Sequence, residues 1–255
     1  MEILSDLAIV LKNIRYAERD QVVTLLSENH GKCTSLAKGS VHSKRFGGSL
    51  AFLGVAQVRL VKKGNSELHR LDEAVFRHEF KNIPKDVEAL SSASCMVDLC
   101  LRLLEERSPT REVFVALSNA LFVLDQGKPP LLILCAFMAK LFLNLGYAPR
   151  MHECSICAKA MTAEVTSGAT LYWSTHAGGV VCSNCGRKDY LQVISQHQLL
   201  VMSQLFTMPF KELHSEEEIK TIYEWFVAFM QQHIPALNSS GGLKSFQFYE
   251  DLAGF

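Results

Sequence analysis

Gly146-Tyr147-Ala148-Pro149-Arg150 runs through a short spacer into Cys154-Ser155-Ile156-Cys157. After a gap of 24 residues comes Cys182-Ser183-Asn184-Cys185, preceded by Gly178-Gly179-Val180-Val181. Two Cys-x-x-Cys pairs suit a tetrahedral metal site: each pair wraps a tight turn that aims two sulfurs at one ion, and the intervening loop returns the second turn to the first. The gap is longer than the usual zinc-ribbon spacing, and a hairpin between the turns absorbs the extra length. Cys154, Cys157, Cys182 and Cys185 are therefore the expected ligands of one structural zinc ion per chain. An all-cysteine set leaves no position for a reactive water. Gly186 suits a left-handed turn after the second pair, and Ala158 is a poorer fit after the first. The alternatives are two disulfides or a redox-active pair, but a redox pair should open a helix after a strand, and neither pair has that setting. His152 and His176 could replace a cysteine, though exposed loop positions suit them better.

The flanking sequence divides by period. Before residue 83 the runs are short and β-like: Leu7–Leu11, Gln21–Leu26, Cys33–Ala37, a long apolar stretch from Leu50 to Val61, and Glu67–Leu71. Glycine-marked turns lie between them, and five such strands in about 80 residues favour a small closed barrel. From Pro84 the apolar spacing turns helical, with helices expected over Asp86–Arg107, from Ser108 to Leu124, and over Leu131–Leu145. The last of these is apolar nearly all round and ends at Gly146, so it is the expected hub of a helical domain, with Leu132, Phe137, Leu141 and Leu145 buried. Two further helices are expected over Leu191–Phe206 and Ser215–His233, the latter opened by a capping box at Ser215. The predicted architecture is thus α+β and multidomain. A barrel occupies 1–82, a helical domain with the knuckle at 150–188 occupies 83–235, and a loosely ordered tail fills 236–255.

Of the 255 residues, 48% are apolar, enough for a sizeable core, and 26 basic side chains balance 26 acidic ones. The balance is uneven along the chain. Residues 10–65 carry 10 Lys or Arg against 3 Asp or Glu, a net of +7, which suggests a polyanion partner for the barrel. The loop from Lys38 to Gly48 combines small residues with Lys38, Lys44 and Arg45, and Phe46 could stack on a base or pack inside the barrel. Lys12, Arg15 and Tyr16 could line the same groove. Single surface lysines carry little weight, and the expectation of a DNA-binding face rests on the cluster. Cys33, Cys95, Cys100 and Cys135 are scattered, as expected of small hydrophobes in a reducing compartment. The first residues lack a signal-peptide pattern and the longest apolar run is too short to span a bilayer, so a cytoplasmic protein without a membrane partner is expected. No Walker loop, nucleophile elbow or carboxylate cluster appears, which argues against an enzyme.

These runs together resemble one family. Val10-Leu11-Lys12, Tyr16 to Asp20, His30-Gly31-Lys32, Ala37-Lys38-Gly39, Lys44 to Gly48, Leu68 to Leu71, and Leu145 to Pro149 running into the two cysteine pairs are similar in order and spacing to the RecO recombination mediators. The likeness covers about residues 3–188. It implies an N-terminal OB fold, a helical domain carrying a zinc knuckle, and a non-enzymatic role. It also implies binding of single- and double-stranded DNA, strand annealing, recognition of the acidic tail of single-strand-binding protein, and RecA loading with RecR, at the nucleoid. A zinc-bearing protein adaptor with incidental DNA affinity is the competing reading. An unrecognised nuclease, a third, lacks any supporting carboxylates.

Overall fold

The computed structural model describes residues 2–16, 18–43, 45–46, 48–62, 69–161, 168–186, 191–214, 217–237 and 243–255. The chain forms two compact units, one of residues 1–127 with 248–255 and the other of residues 128–247.

In the first unit, strands β1 (Glu2–Arg15), β2 (Gln21–Ser27), β3 (Gly31–Ala37), β4 (Val55–Lys62) and β5 (His69–His78) close a barrel in the order β1-β2-β3-β5-β4. The closing pair, β3 with β5, is parallel over Ser35–Ala37 and His69–Leu71, and the other pairs are antiparallel. This is the topology of an OB-type Greek-key barrel. Alternation fills the interior: Cys33, Ser35 and Ala37 of β3 face in, beside Val10, Val23, Leu25, Val58, Leu60 and Leu71. The register of β1 slips between Val10 and Lys12, a bulge at Leu11. Ile9, Leu11 and Leu26 lie outside the interior cluster and are buried nonetheless. Helix α1 (Val87–Leu103) packs on β1 and α2 (Arg111–Asp125) on β2, covering that outer face.

The barrel is pinned at one end by Asp6. Its carboxylate accepts from the Ser27 hydroxyl, from the Asn29 backbone N–H at 2.7 Å and side-chain amide at 2.8 Å, and lies 3.0 Å from His30 Nδ1. Burial alone would raise its pKa, but these hydrogen bonds hold it below the usual carboxylate value.

The stretch expected as a strand from Leu50 begins only at Val55. Residues 50–54 form turns, with Leu50 joining Phe46 as a plug in the barrel interior: Leu53 takes φ +64° and donates its N–H to Val10 O at 3.0 Å, and the Ser49 hydroxyl donates to Ala74 O at 2.8 Å. An apolar run marks burial equally well for a plug and a strand.

In the second unit, α3 (Pro130–Asn144) is buried on every side from Leu132 to Ala139 and again at Leu141 and Phe142. Leu145 is half-buried rather than core, because it is the C-cap. There Gly146, at φ +75°, donates to Leu143 O at 3.2 Å while Tyr147 donates to Phe142 O at 2.8 Å, a Schellman closure. Lys140 bends from this apolar helix to the far end of α5 (Gln196–Thr207), where its ammonium donates to Leu205 O and Phe206 O at 3.3 Å and Met208 O at 2.8 Å. A cation at the carbonyl end of a helix is favourably placed. Helix α6 (Ile219–His233) also packs on α3, with Phe226 edge-on to Phe142 and to Phe206 of α5.

Three strands, β6 (Leu171–Ser174), β7 (Gly179–Val181) and β8 (Gln192–Ile194), form the sheet β7-β6-β8 that carries the knuckle. The helix expected from Leu191 is thus a strand as far as Ile194, since Gln192–Ile194 pair with β6. Its capping box lies at Ser195 and Gln198; the box expected at Ser215 lies outside the described residues. The supposed tail is not loose. Lys244–Ala253 form α7, with Phe246 and Tyr249 buried, and Tyr249 reaches Glu88 at 3.3 Å. Its aromatics recur at helical rather than tail-like spacing.

Candidate functional site

Two clusters of chemistry stand out, one in each unit. In the second unit, hairpin and sheet bring four cysteines together. Ala158 N–H donates to Cys154 O at 2.8 Å and Cys154 N–H to Lys159 O at 2.8 Å, closing the first turn. The second turn is α4 (Ser183–Gly186), a single helical turn after β7 in which Gly186 N–H donates to Cys182 O at 2.9 Å. Ser155 N–H donates to Val180 O at 2.8 Å and Cys182 N–H to Cys154 Sγ at 3.4 Å, locking the turns to each other.

The roles of the two residues after the pairs are reversed from expectation. Ala158 takes the left-handed conformation at φ +57°, whereas Gly186 is absent from the positive-φ set. Gly186 is needed for space, since a Cβ there would lie 2.0 Å from the Tyr172 ring.

The four sulfurs lie within 4.8 Å of one another, and Cys157 Sγ is 3.9 Å from Cys182 Sγ. A tetrahedral ion with sulfurs at about 2.3 Å requires sulfur separations of roughly 3.8 Å. The set therefore fits a metal ion, and all eight cysteines are free thiols rather than disulfides. Burial works against the Cys154 thiolate, but N–H groups of Cys182, Cys157 and Ile156 outweigh it and bring the pKa down to about 6. The Cys182 side chain, then burial and the other two thiols, push Cys185 up to about 12. One thiolate thus forms readily and further ones repel it, the charge problem that a divalent cation resolves. His152 and His176 are exposed, and His176 Nδ1 pairs with the Gln232 amide at 2.8 Å, away from the ligand set. By contrast, burial raises Cys33 to about 11 and Cys100 to about 12, and raises Cys135 as well, so these pack as inert apolar groups.

In the first unit, lateral register sets Arg15 beside Gln21 and Gln21 beside Ala37, so Arg15 and Lys38 sit at the same end of the barrel. Arg15 donates to Glu18 O at 3.0 Å. Gly39 N–H donates to the Asp20 carboxylate at 2.7 Å and Val41 N–H to Arg19 O at 3.2 Å, which ties the β1–β2 turn to the loop after β3. Between them opens a cleft of about 750 Å³ lined by Arg15, Glu18, Arg19, Gly39, His42 and Ser43. Arg45 is exposed and leans on the Ser43 hydroxyl at 3.4 Å, at the cleft rim. Lys12 is exposed on β1, and Lys44 lies outside the described residues.

Phe46 corrects the expectation of an exposed stacking residue. It is 3% exposed and belongs to the barrel core, with the Arg45 guanidinium 5.9 Å from its ring centre. Burying a phenyl ring in an open barrel end outweighs presenting it to solvent. Arg19 and His42 belong to the cleft though neither was singled out from the sequence. Only the pairing of the two loops reveals them, and a hairpin register between β1 and β2 would have pointed to Arg19.

An OB-type barrel with a basic cleft, followed by a helical region with a four-cysteine knuckle, defines the class of protein. Comparison with known proteins makes it specific. The family described as "Recombination protein O N terminal" matches residues 1–80 and "Recombination protein O C terminal" matches 84–240. The chain is 31% identical to DNA repair protein RecO of Thermoanaerobacter sp. (strain X514) over 192 residues, 74% of each chain. It is 31% identical to that of Rhodopirellula baltica over 214 residues, 84% of this chain and 76% of the relative. To that of Geobacter metallireducens it is 35% identical over 185 residues, 71% of each. The chain belongs to the RecO family.

Proposed function

We propose that this chain is a non-enzymatic DNA repair and recombination mediator, whose barrel binds DNA through its backbone charge. The observation that carries this reading is the cleft, where Arg15 and Arg19 flank an open space across from the loop after β3, with Arg45 at its rim. Basic groups on a rigid barrel neutralise phosphates and release counterions without reading sequence. Two strands held with their charge neutralised can pair, so annealing follows from the same property. Residues 1–82 are the proposed DNA-binding module. Residues 83–235 carry the knuckle and the surfaces for RecR and for the acidic tail of single-strand-binding protein, through which RecA is loaded at the nucleoid. Among the described residues no helix is long and apolar enough to cross a membrane.

Cys154, Cys157, Cys182 and Cys185 would hold one zinc ion, which supplies cross-linking and charge neutralisation. The chain's own part is to aim four sulfurs and to exclude water from the buried pair, Cys154 and Cys182.

The test is binding to single strands across a salt series. A Lys44→Ala, Arg45→Ala double variant should weaken binding to every sequence about equally and flatten the salt slope by about one unit, since each single-strand phosphate contact contributes about 0.7. Binding equal to the parent at low and moderate salt would remove this face from consideration. Failure of the parent to bind DNA at all would favour the adaptor reading.

A further inference from the structure

We infer that the cleft between α6, the end of β6 and the start of β8 is a docking pocket for an arginine side chain of a partner protein, with Glu224 as its counter-ion. The site lies wholly within the second unit and does not depend on DNA binding by the barrel. Its volume is about 440 Å³, and Trp173, Thr175, His176, Gln192, Glu224 and Trp225 are among the residues that line it.

Three observations carry the inference. The first is charge. Glu224 is exposed and has no ion-pair partner among the described residues, and the described lining contains no Lys or Arg. A phosphate or an acidic peptide would meet that carboxylate uncompensated. A cation is attracted to it, the more so beside an aromatic wall that excludes water. The second is that wall. Trp173 and Trp225 are 2% and 5% exposed and stack with ring centres 5.4 Å apart and planes 14° apart. Against aromatic surface the flat, weakly hydrated guanidinium is favoured over a compact ammonium. The third is an unmatched donor. Trp225 Nε1–H donates to the Gln192 side-chain oxygen, but Trp173 Nε1, buried in the same lining, has no partner. A buried N–H without an acceptor is rare. The main-chain carbonyls that accompany an arginine in a peptide are acceptors of the kind it lacks.

The cleft is also preformed. His233 Nε2 donates to Thr175 O at 2.6 Å and the Gln232 amide donates to His176 Nδ1 at 2.8 Å, which fixes the β6–β7 turn to the end of α6. A guest thus meets a rigid wall, and little ordering of the site opposes binding.

The chain has two tryptophans and both line this cleft, so tryptophan emission of the full chain reports on the site directly. The probe is a short capped peptide with one arginine among glycines, titrated beside its lysine and glutamate counterparts and an oligothymidylate. The arginine peptide should shift the emission, the lysine peptide should bind more weakly, and the other two should leave it unchanged. Glu224→Gln should weaken the arginine peptide about tenfold. Because Glu224 is exposed, that variant should melt with the parent. An emission unchanged by the arginine peptide, or equal binding by Glu224→Gln and the parent, would overturn the pocket. So would a larger response to the glutamate peptide or to the oligothymidylate than to the arginine peptide.

Discussion

Asp6→Ala should cost the first unit about 3–5 kcal/mol. The side chain is 6% exposed and serves the Ser27 hydroxyl, both nitrogens of Asn29 and His30. Hydrogen bonds to a charged group contribute about 1.5–3 kcal/mol each, and a stranded buried hydroxyl costs about 1–3 kcal/mol. Ser27 is fully buried, so its hydroxyl takes the full penalty, whereas Asn29 sits in an exposed turn and regains water. Two strong losses rather than four give the estimate. The same group sets an acid limit. Its pKa is lowered from 3.8 in the fold, so its contribution is complete above that value and drains away as pH falls past 3.8 and through the lower folded value. Hydrogen exchange of β1 and β2 amides under native conditions reads this unit without interference from the other. Asp6→Asn should remove this part of the acid dependence. A loss under about 1 kcal/mol in Asp6→Ala, or an unchanged acid slope in Asp6→Asn, would show that the network is ornamental.

Leu141→Asp would bury an unpaired charge at a fully buried position of α3, and should unfold the second unit; a native circular dichroism melt would refute the hub. Gly186→Ala should loosen the knuckle by about 1–3 kcal/mol, because the Tyr172 ring must move, and relief by an added Tyr172→Ala would confirm the clash. Metal analysis of freshly purified protein should find one zinc per chain. Cys154→Ser, or a strong chelator, should lower protection of residues 150–161 and 168–186 and lower the melting temperature, whereas zinc-free protein with paired disulfides would refute the site.

Much of this was legible in the chain. The change from short β runs to helical spacing at Pro84 marks where the barrel ends, and the two cysteine pairs identify their own cluster because the spacing leaves few other geometries. What failed did so where local pattern is indifferent to partner. Leu50 and Phe46 announce burial, but only closure of the barrel decides that they plug its end. Gln192–Ile194 becomes a strand because β6 offers an edge, and Phe246 and Tyr249 become helical because their burial requires it. Gly186 was correctly marked as special for the wrong reason: its sequence context suggested a backbone angle, while the Tyr172 ring, 14 residues away, demands the missing side chain.

The first unit is built from both ends of the chain, residues 1–127 and 248–255. That has a consequence for synthesis. At about 5–20 residues per second, a ribosome needs roughly 6–24 s to make the intervening stretch of about 120 residues. Throughout that time the barrel, α1 and α2 stand without Tyr249 and the last turns of α7, so the nascent barrel must wait for its final piece. Folding of the second unit meanwhile proceeds on a continuous segment, and a piece translated after it completes the unit begun first.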